Sequence, residues 1–319
     1  DAITNGEGGE VVTWSNNATR FYGTISAQGG IEAGDGGKVE VSGKQFLDYN
    51  GSVNTLAPNG NIGTLLLDPT NIEVVTGSGD QFANNLNDVD NSSDPNLPNP
   101  PGTSGIAKIN PSLINGATSN VTLQASNNIT FTDAVSMTQE GVGLTADAGN
   151  QITVNADIST NNGAIELDTN NGTGGIVLNA KLNAGTSTVT LNAPLGAITR
   201  TAGVITANSL NATATAFGTN GNPIHTDVDE LSVDTSTPGG DQFIDEQDTL
   251  TALNLRANQG NIALITGVGN PATSGAITDT DGALDLFGNQ VSVIINKAGD
   301  FGSTNNPIRT TANDLTVDT

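Results

Sequence analysis

Three groups of carboxylates in the second half of the sequence are its best candidates for acid–base chemistry. Hydrolysis of a glycosidic bond requires two carboxyl groups that face each other across a groove about 5–10 Å wide. The candidates are Asp227, Asp229 and Glu230; Asp241, Asp245, Glu246 and Asp248; and Asp279, Asp281 and Asp285. The sequence therefore contains the residue types that polysaccharide hydrolysis uses, and the surrounding pattern decides whether they are placed for it.

An internal repeat weakens the catalytic interpretation of the first group. Residues 217–226 (FGTNGNPIHT) return as residues 301–310 (FGSTNNPIRT), and residues 231–235 (LSVDT) return as residues 315–319 (LTVDT), in both cases 84 positions later. The repeat keeps the apolar positions but replaces Asp227-Val228-Asp229-Glu230 by Thr311-Ala312-Asn313-Asp314. We therefore expect these acids to be variable turn residues, and the sequence predicts no catalytic residue in the chain.

The single histidine and the basic residues add little support for catalysis. His225 corresponds to Arg309 in the repeat, and without a second histidine or any cysteine it cannot complete a histidine-based metal site or a Cys–His pair. No Gly-x-Ser-x-Gly motif accompanies it to form a Ser–His–Asp triad. Lyases that act on acidic sugars bring Arg or Lys to a cleft, whereas the basic residues here are few and scattered: Arg20, Lys38, Lys44, Lys108, Lys181, Arg200, Arg256, Lys297 and Arg309.

Motifs for cofactors and metals are missing from the sequence. It has no phosphate-binding loop, no dinucleotide-binding fingerprint and no EF-hand loop. Loosely bound calcium at the acidic turn Asp241–Asp248 is an alternative, but such a site needs several oxygens that converge on one point. We therefore predict no cofactor and no metal site.

The composition excludes several classes of partner and fold. Nine Lys and Arg residues against 33 Asp and Glu residues give 9 − 33 = −24, a charge that repels nucleic-acid backbones, so we expect no nucleic acid among the partners. Only 3% of the residues are aromatic, while 40 are glycine, which favours short strands and tight turns over a thick globular core. There is no cysteine, so a disulfide framework is excluded.

Three of the few aromatic residues lie near the start of the sequence. Trp14, Phe21 and Tyr22 belong to the strand-like runs Val11–Trp14 and Phe21–Ile25. Such residues either form a platform on which a sugar ring stacks or pack in the core and on a neighbouring strand. We expect the packing role.

From residue 106 onward, strand-like segments recur at a nearly constant spacing. The equivalent apolar positions lie at intervals of 21 to 24 residues, and they are Val121, Leu144, Ile165, Val189, Leu210, Leu231 and Leu253. Asparagine recurs at the turns, where stacked amides can form ladders. The period is about half that of a propeller blade and predicts an all-β solenoid, a parallel β-helix with about 21–24 residues per coil. On this count the 84-residue repeat spans four coils of 21.

The first part of the chain carries a denser pattern of strands and turns. Residues 36–44 read GGKVEVSGK, residues 51–60 read GSVNTLAPNG and residues 63–69 read GTLLLDP. This text resembles a passage that recurs in filamentous haemagglutinin-like exoproteins, the large secreted adhesins of two-partner secretion systems, and the match is dense over roughly residues 7–130.

The resemblance implies a location and a set of partners. It implies a right-handed parallel β-helix in an extracellular fibre at the cell surface of a Gram-negative-type bacterium, exported through an outer-membrane secretion partner. The amino-terminal secretion domain of the family does not appear in these residues, so we expect an internal segment of a longer polypeptide. The expected partners are glycans or proteins of a host, a neighbouring cell or a matrix, and further copies of the chain, joined end to end or laterally.

We predict three regions. Residues 1–75 form β-helix coils with the family motif, residues 76–105 form a loop rich in Pro, Asn and Asp that leaves the stack, and residues 106–319 continue the coils with the 84-residue internal repeat. The predicted function is a structural or adhesive segment of the fibre, mediating attachment, cell–cell contact or filament and biofilm assembly. The alternatives are a polysaccharide-active β-helix enzyme and the stalk of a contact-dependent toxin.

Overall fold

A computed structural model describes residues 1–44, 46–77, 106–169, 172–269, 274–279 and 282–319. These residues are nearly all β, with 2% helix, and their parallel strands stack as a β-solenoid of about 11 turns with ~24 residues per turn. The predicted parallel β-helix is confirmed, while the hand of its coils stays a prediction. The chain divides into two compact units, Asp1–Gly149 and Asn150–Thr319.

The first unit contains, in its described residues, thirteen strands and one short helix. The helix begins after Asn110, whose side-chain oxygen accepts a hydrogen bond from Ser112 N, as an N-cap residue does. The elements are β1 (Glu10–Ser15), β2 (Ala18–Phe21), β3 (Thr24–Ser26), β4 (Lys38–Gly43), β5 (Phe46–Tyr49), β6 (Ser52–Asn54), β7 (Thr64–Asp68), β8 (Asn71–Val74), β9 (Ile106–Ile109), α1 (Pro111–Asn115), β10 (Asn120–Ala125), β11 (Asn128–Phe131), β12 (Val135–Glu140) and β13 (Leu144–Ala148).

Five of these strands lie in successive coils and form the main face of the first unit. β1 pairs in parallel with β4, β4 with β7, β7 with β10, and β10 with β13. Their register places Val11, Val39, Leu65, Val121 and Leu144 in one line, and all but Val11 are buried. A second face is formed by β9, β8 and β11. The predicted loop at 76–105 lies outside the described residues except for positions 76 and 77.

The second unit contains fourteen strands in its described residues. They are β14 (Gln151–Val154), β15 (Ile158–Asn161), β16 (Ile165–Asp168), β17 (Gly175–Leu178), β18 (Leu182–Asn183), β19 (Thr188–Ala193), β20 (Ile198–Arg200), β21 (Ile205–Ala214), β22 (Ile224–Asp234), β23 (Gln242–Glu246), β24 (Ala252–Arg256), β25 (Ile262–Thr266), β26 (Leu286–Ile295) and β27 (Thr310–Asp318).

One face of the second unit confirms the predicted stacking of equivalent residues. β16, β19, β21, β22 and β24 pair in parallel in this order, and the register aligns Ile165, Val189, Leu210, Leu231 and Leu253. All five side chains are buried. Because neighbouring strands lie about 4.8 Å apart, adjacent side chains in this column stack on one another. Full burial of each such residue stabilises the stack by about 1.5–3 kcal/mol.

Asparagine ladders connect successive coils, as the sequence predicts. In the first unit, Asn127 Nδ2 donates to Asn71 Oδ1 at 2.8 Å. In the second unit, Asn313 Nδ2 donates to Asn289 Oδ1 at 2.9 Å, and Asn289 Nδ2 donates to Asn261 Oδ1 at 3.3 Å. The ladders satisfy polar side chains that lie beside or within the paired strands.

The 84-residue repeat does not correspond to a whole number of coils, so the interpretation as four coils of 21 is wrong. Leu231 pairs with Leu210 and Leu253, whereas its copy Leu315 pairs with Val291, which in turn pairs with Ile262. The two leucines therefore occupy different columns. Turns of unequal length between strands shift the chain around the coil, and a sequence repeat does not record this shift.

The inward column predicts that substitutions at two neighbouring positions of β21 change the stability of the protein by very different amounts. We expect Leu210→Ala to lower the free energy of unfolding by about 2–5 kcal/mol, because it leaves a cavity between Val189 and Leu231. The control is Asn211→Ala, since Asn211 is exposed and its substitution should change stability by no more than about 0.5 kcal/mol. Urea unfolding followed by far-UV circular dichroism measures both, and equal effects of the two substitutions would contradict the inward column.

Candidate functional site

Strand pairing brings the first two groups of predicted acids together. β22 pairs with β23, and the register aligns Ile224 with Ile244, His225 with Asp245, and Thr226 with Glu246. Apolar residues alternate along both strands, so Ile224, Thr226, Ile244 and Glu246 point inward while His225 and Asp245 point outward. Two arrangements result: an interior carboxyl at Glu246 and a polar chain on the outer surface.

Glu246 is a carboxylic acid in the interior of the coil, with 0% of its surface exposed. Its Oε1 accepts hydrogen bonds from Asp248 N at 3.3 Å and Val228 N at 3.4 Å, while Oε2 makes no hydrogen bond of normal geometry. Burial raises the pKa of Glu246 from 4.5 to about 7, against the opposite effect of the nearby Thr226 side chain and of the hydrogen bonds from Asp248 N and Val228 N. At neutral pH this side chain is therefore divided between its protonated and charged forms.

Two outer carboxylates lie next to Glu246 and form an acidic cluster with it. Oxygens of Asp227, Glu246 and Asp248 all lie within 4.8 Å of one another. Burial, followed by the charge of Asp248, raises the pKa of Asp227. Two oxygens on one Ca²⁺ are about 4.6–5.2 Å apart when they lie on opposite sides of the ion. The acidic cluster is thus the group of described residues with the spacing to hold a divalent cation, although three carboxylates alone fall short of the 6–8 oxygens that calcium takes.

His225 lies between Arg200 and Asp245 in a polar chain that crosses three coils. Arg200 Nη2 is 2.9 Å from His225 Nδ1, and His225 Nε2 is 3.2 Å from Asp245 Oδ2. A guanidinium only donates hydrogen bonds, so Nδ1 must be the acceptor and the neutral ring carries its proton on Nε2. Partial burial, followed by the charge of Arg200, lowers the pKa of His225, and Asp245 opposes this shift.

The expectation that Asp227, Asp229 and Glu230 are variable turn residues is wrong, because all three lie inside strand β22. Asp229 and Glu230 are exposed on that strand, and Asp248 of the second group is exposed as well. Glu246, Asp279 and Asp285 are buried, and Asp285 Oδ2 accepts a hydrogen bond from Arg309 N at 2.5 Å. Asp281 lies outside the described residues. The sequence could not show this, because the bounds and alternation of each strand decide which acids point inward.

The expected packing role holds for two of the three aromatic residues near the start of the chain. Phe21 stacks on Tyr49, with ring centroids 5.8 Å apart and an angle of 10° between the rings, and Tyr22 Oη donates to Asp48 Oδ2 at 2.6 Å. These two pack on a neighbouring strand, as expected. Trp14 does not: 51% of it is exposed, on the outward side of β1.

Sequence reasoning missed two partners in this region. Arg200 was counted among scattered basic residues, yet it donates to His225 from the preceding coil. Thr226 reads as an ordinary strand residue, yet it is buried and aligned with Glu246. Arg200 and His225 are 25 residues apart, and Thr226 and Glu246 are 20 residues apart. Both separations are close to one turn of the coil, so an accurate alignment of the coils would have identified both pairs.

Comparisons with known proteins do not name a family. A scan against protein-family models finds no match, and a search of curated proteins finds none either. Within the described part of the chain, no helix has both the length and the apolar character that a membrane-spanning helix requires. Membership of the exoprotein family therefore stays a prediction.

The raised pKa of Glu246 predicts a stability that falls as pH rises. The folded chain binds the proton more tightly than the unfolded chain, so the stabilisation is fully present below about pH 4.5 and is lost as pH rises towards 7. We expect the difference in unfolding free energy between the wild type and Glu246→Gln to change by on the order of 3 kcal/mol between pH 4 and 8. Urea unfolding at a series of pH values measures it. A difference that does not vary with pH would show that Glu246 titrates normally.

The polar chain predicts opposite shifts of the histidine pKa in two variants. Arg200→Met removes the neighbouring charge and should raise the pKa of His225, whereas Asp245→Asn should lower it further. The chain has one histidine, so its imidazole proton resonances report this pKa without ambiguity in an NMR titration. Arg256→Met is the control and should leave the pKa unchanged. Shifts in the same direction for Arg200→Met and Asp245→Asn would contradict the arrangement.

Proposed function

We propose that this chain is a structural and adhesive segment of a large secreted fibre on the surface of a Gram-negative-type bacterium. In this role it contributes coils to the fibre and makes attachment or cell–cell contacts through its outward side chains. The proposal includes export through an outer-membrane partner, extracellular location, and glycans or proteins of other cells or of a matrix as partners. The sequence passages at residues 36–69 support the family, and the fold is compatible with it.

One observation carries the proposal: the interior is built from continuous apolar columns, whereas the outer positions differ from coil to coil. Val189, Leu210 and Leu231 stack inside the second unit. The residues that follow them in β19, β21 and β22 point outward and are Thr190, Asn211 and Ser232. A stack of this kind grows by adding coils and offers a long, variable polar surface, which suits contacts with extended partners.

The acidic cluster supports a second candidate, a polysaccharide-active enzyme. Glu246, with a pKa of about 7, resembles a general acid, and oxygens of Asp227 and Asp248 lie within 4.8 Å of it. That separation is near the ~5 Å of retaining glycosidases. However, Glu246 has no exposed surface, and a general acid must reach the glycosidic oxygen. This burial favours the adhesive role over the enzymatic one.

An attachment assay tests the proposed function. Microspheres coated with the whole chain are allowed to settle on surfaces carrying matrix proteins or glycans, and the fraction retained under flow is counted. The control coating is Leu191→Asp, which puts a charge into a fully buried column and should unfold the coil. We expect several-fold greater retention for the folded chain on at least one surface.

A parallel assay addresses the enzymatic candidate. The same chain is incubated with acidic and neutral polysaccharides, and reducing ends and unsaturated products are followed. We expect no turnover. Product formation that disappears in Asp227→Asn or Asp248→Asn would overturn the structural and adhesive role, as would equal retention of the wild-type and Leu191→Asp coatings on every surface.

A further inference from the structure

At one corner of the second unit, the chain segments that cross from one face of the coil to the next become shorter in successive coils. The surface at this corner therefore lies closer to the core in the later coils. Seven residues (235–241) connect Asp234 to Gln242, and five (257–261) connect the aligned Arg256 and Ile262 of the next coil. In the next two coils the same corner lies inside a continuous strand, where three residues of β26 (288–290) separate Phe287 from Val291 and three residues of β27 (312–314) separate Thr311 from Leu315. A shorter connection crosses the same corner closer to the core, so the five-residue turn forms a ledge beside two recessed coils.

The ledge and the recessed coils enclose a polar groove of about 490 Å³. Its lining includes Asn258 and Gln259 from the ledge, Phe287, Gly288 and Asn289 from β26, and Asn313 from β27. Gly288 is buried, and a Cβ at this position would lie 3.2 Å from Gly260 O and from the Ile262 side chain. The volume falls within the roughly 300–1,000 Å³ of small-molecule sites.

Backbone hydrogen bonds hold the ledge in place. Ala257 N and Asn258 N both donate to Phe287 O, at 2.7 and 3.2 Å, and Asn289 N donates to Gly260 O at 2.8 Å. Asn258 has a φ of 54°, a left-handed conformation that asparagine adopts more readily than most residues. The groove is therefore pre-formed, which lowers the entropic cost of binding a ligand.

The amide ladder orients hydrogen-bonding groups along this groove. Asn289 donates to Asn261 and accepts from Asn313, so both ends of its carboxamide are fixed. Each carboxamide offers two donors and two acceptor lone pairs, and the ladder uses one donor and one lone pair of Asn289. The remaining groups stay in fixed directions, and the exposed amide of Gln259 lies on the facing ledge.

We propose that this groove binds a neutral oligosaccharide. Vicinal sugar hydroxyls both donate and accept hydrogen bonds, which matches the donor and acceptor pairs of carboxamides, and the apolar face of a sugar ring matches the electron-rich face of Phe287. None of the residues that line the groove is charged, and the net charge of −24 repels polyanions. The proposal rests on the adhesive role and assigns that role a ligand class and a site.

Titration of the whole chain with defined sugars tests the groove. The probes are linear tetrasaccharides of β-1,4-glucose, α-1,4-glucose and N-acetylglucosamine, with tetragalacturonate as the acidic comparator, in calorimetry and saturation-transfer NMR. We expect at least one neutral probe to bind and tetragalacturonate not to bind. Gln259→Ala and Phe287→Ala should each weaken that binding about tenfold, because each removes a direct contact.

The matched control is Gln290→Ala, an exposed glutamine on the same strand that does not line the groove, and it should bind as the wild type does. Gln259 is exposed, so its substitution keeps the test valid if Phe287→Ala fails to fold. Binding of none of the neutral probes, equal binding by Gln259→Ala, or preference for tetragalacturonate would each overturn the proposal. The microsphere assay on protein-coated surfaces distinguishes the oligosaccharide site from the adhesive role. Retention on those surfaces without binding of any sugar would contradict the oligosaccharide site and leave the adhesive role standing.

Discussion

Parallel stacking is the constraint on which the rest of this structure depends. Within each unit, a strand must place its apolar residues directly above and below those of the adjacent coils, as Leu210 lies between Val189 and Leu231 and Leu65 lies between Val39 and Val121. A slip of one residue would turn the whole set outward. Residue type is therefore restricted at the inward positions, whereas the corners are free to change in length and polarity. The shortening of one corner from seven residues to three leaves the inward columns intact.

The interior also contains polar side chains, and some of them connect coils. Gln242 Nε2 donates to Val233 O at 3.1 Å and to Arg256 O at 3.0 Å, which links it to two other strands. Asp285 accepts from Arg309 N in the next coil. Such buried groups cost free energy unless they are hydrogen-bonded, and these bonds fix how the chain passes the corners. Glu246 is also fully buried, and burial raises its pKa, which favours the protonated form.

The fold could be predicted from the sequence because a single periodicity fixes it. Apolar alternation within strands and a recurrence of 21–24 residues required parallel coils, and Val121, Leu144 and Leu210 lie where this pattern placed them. The candidate sites could not be predicted in the same way. They depend on the number of residues at each corner of the coil. This number varies, so the 84-residue repeat is out of register with the coils and the pairing of Arg200 with His225 cannot be read from the sequence. The same variation forms the groove beside Asn258. A repeat in sequence records packing and carries little information about the corners.

We propose above all that the outer surface of these coils makes contacts and performs no chemistry. Hydrogen–deuterium exchange of the whole chain, with and without a saturating neutral tetrasaccharide that binds, tests it most directly because it locates the ligand. The account predicts slower exchange at residues 257–261 and 288–290, with no change in β22 and β23. Protection centred on Asp227, Glu246 and Asp248 would contradict it and would identify the acidic cluster as the site.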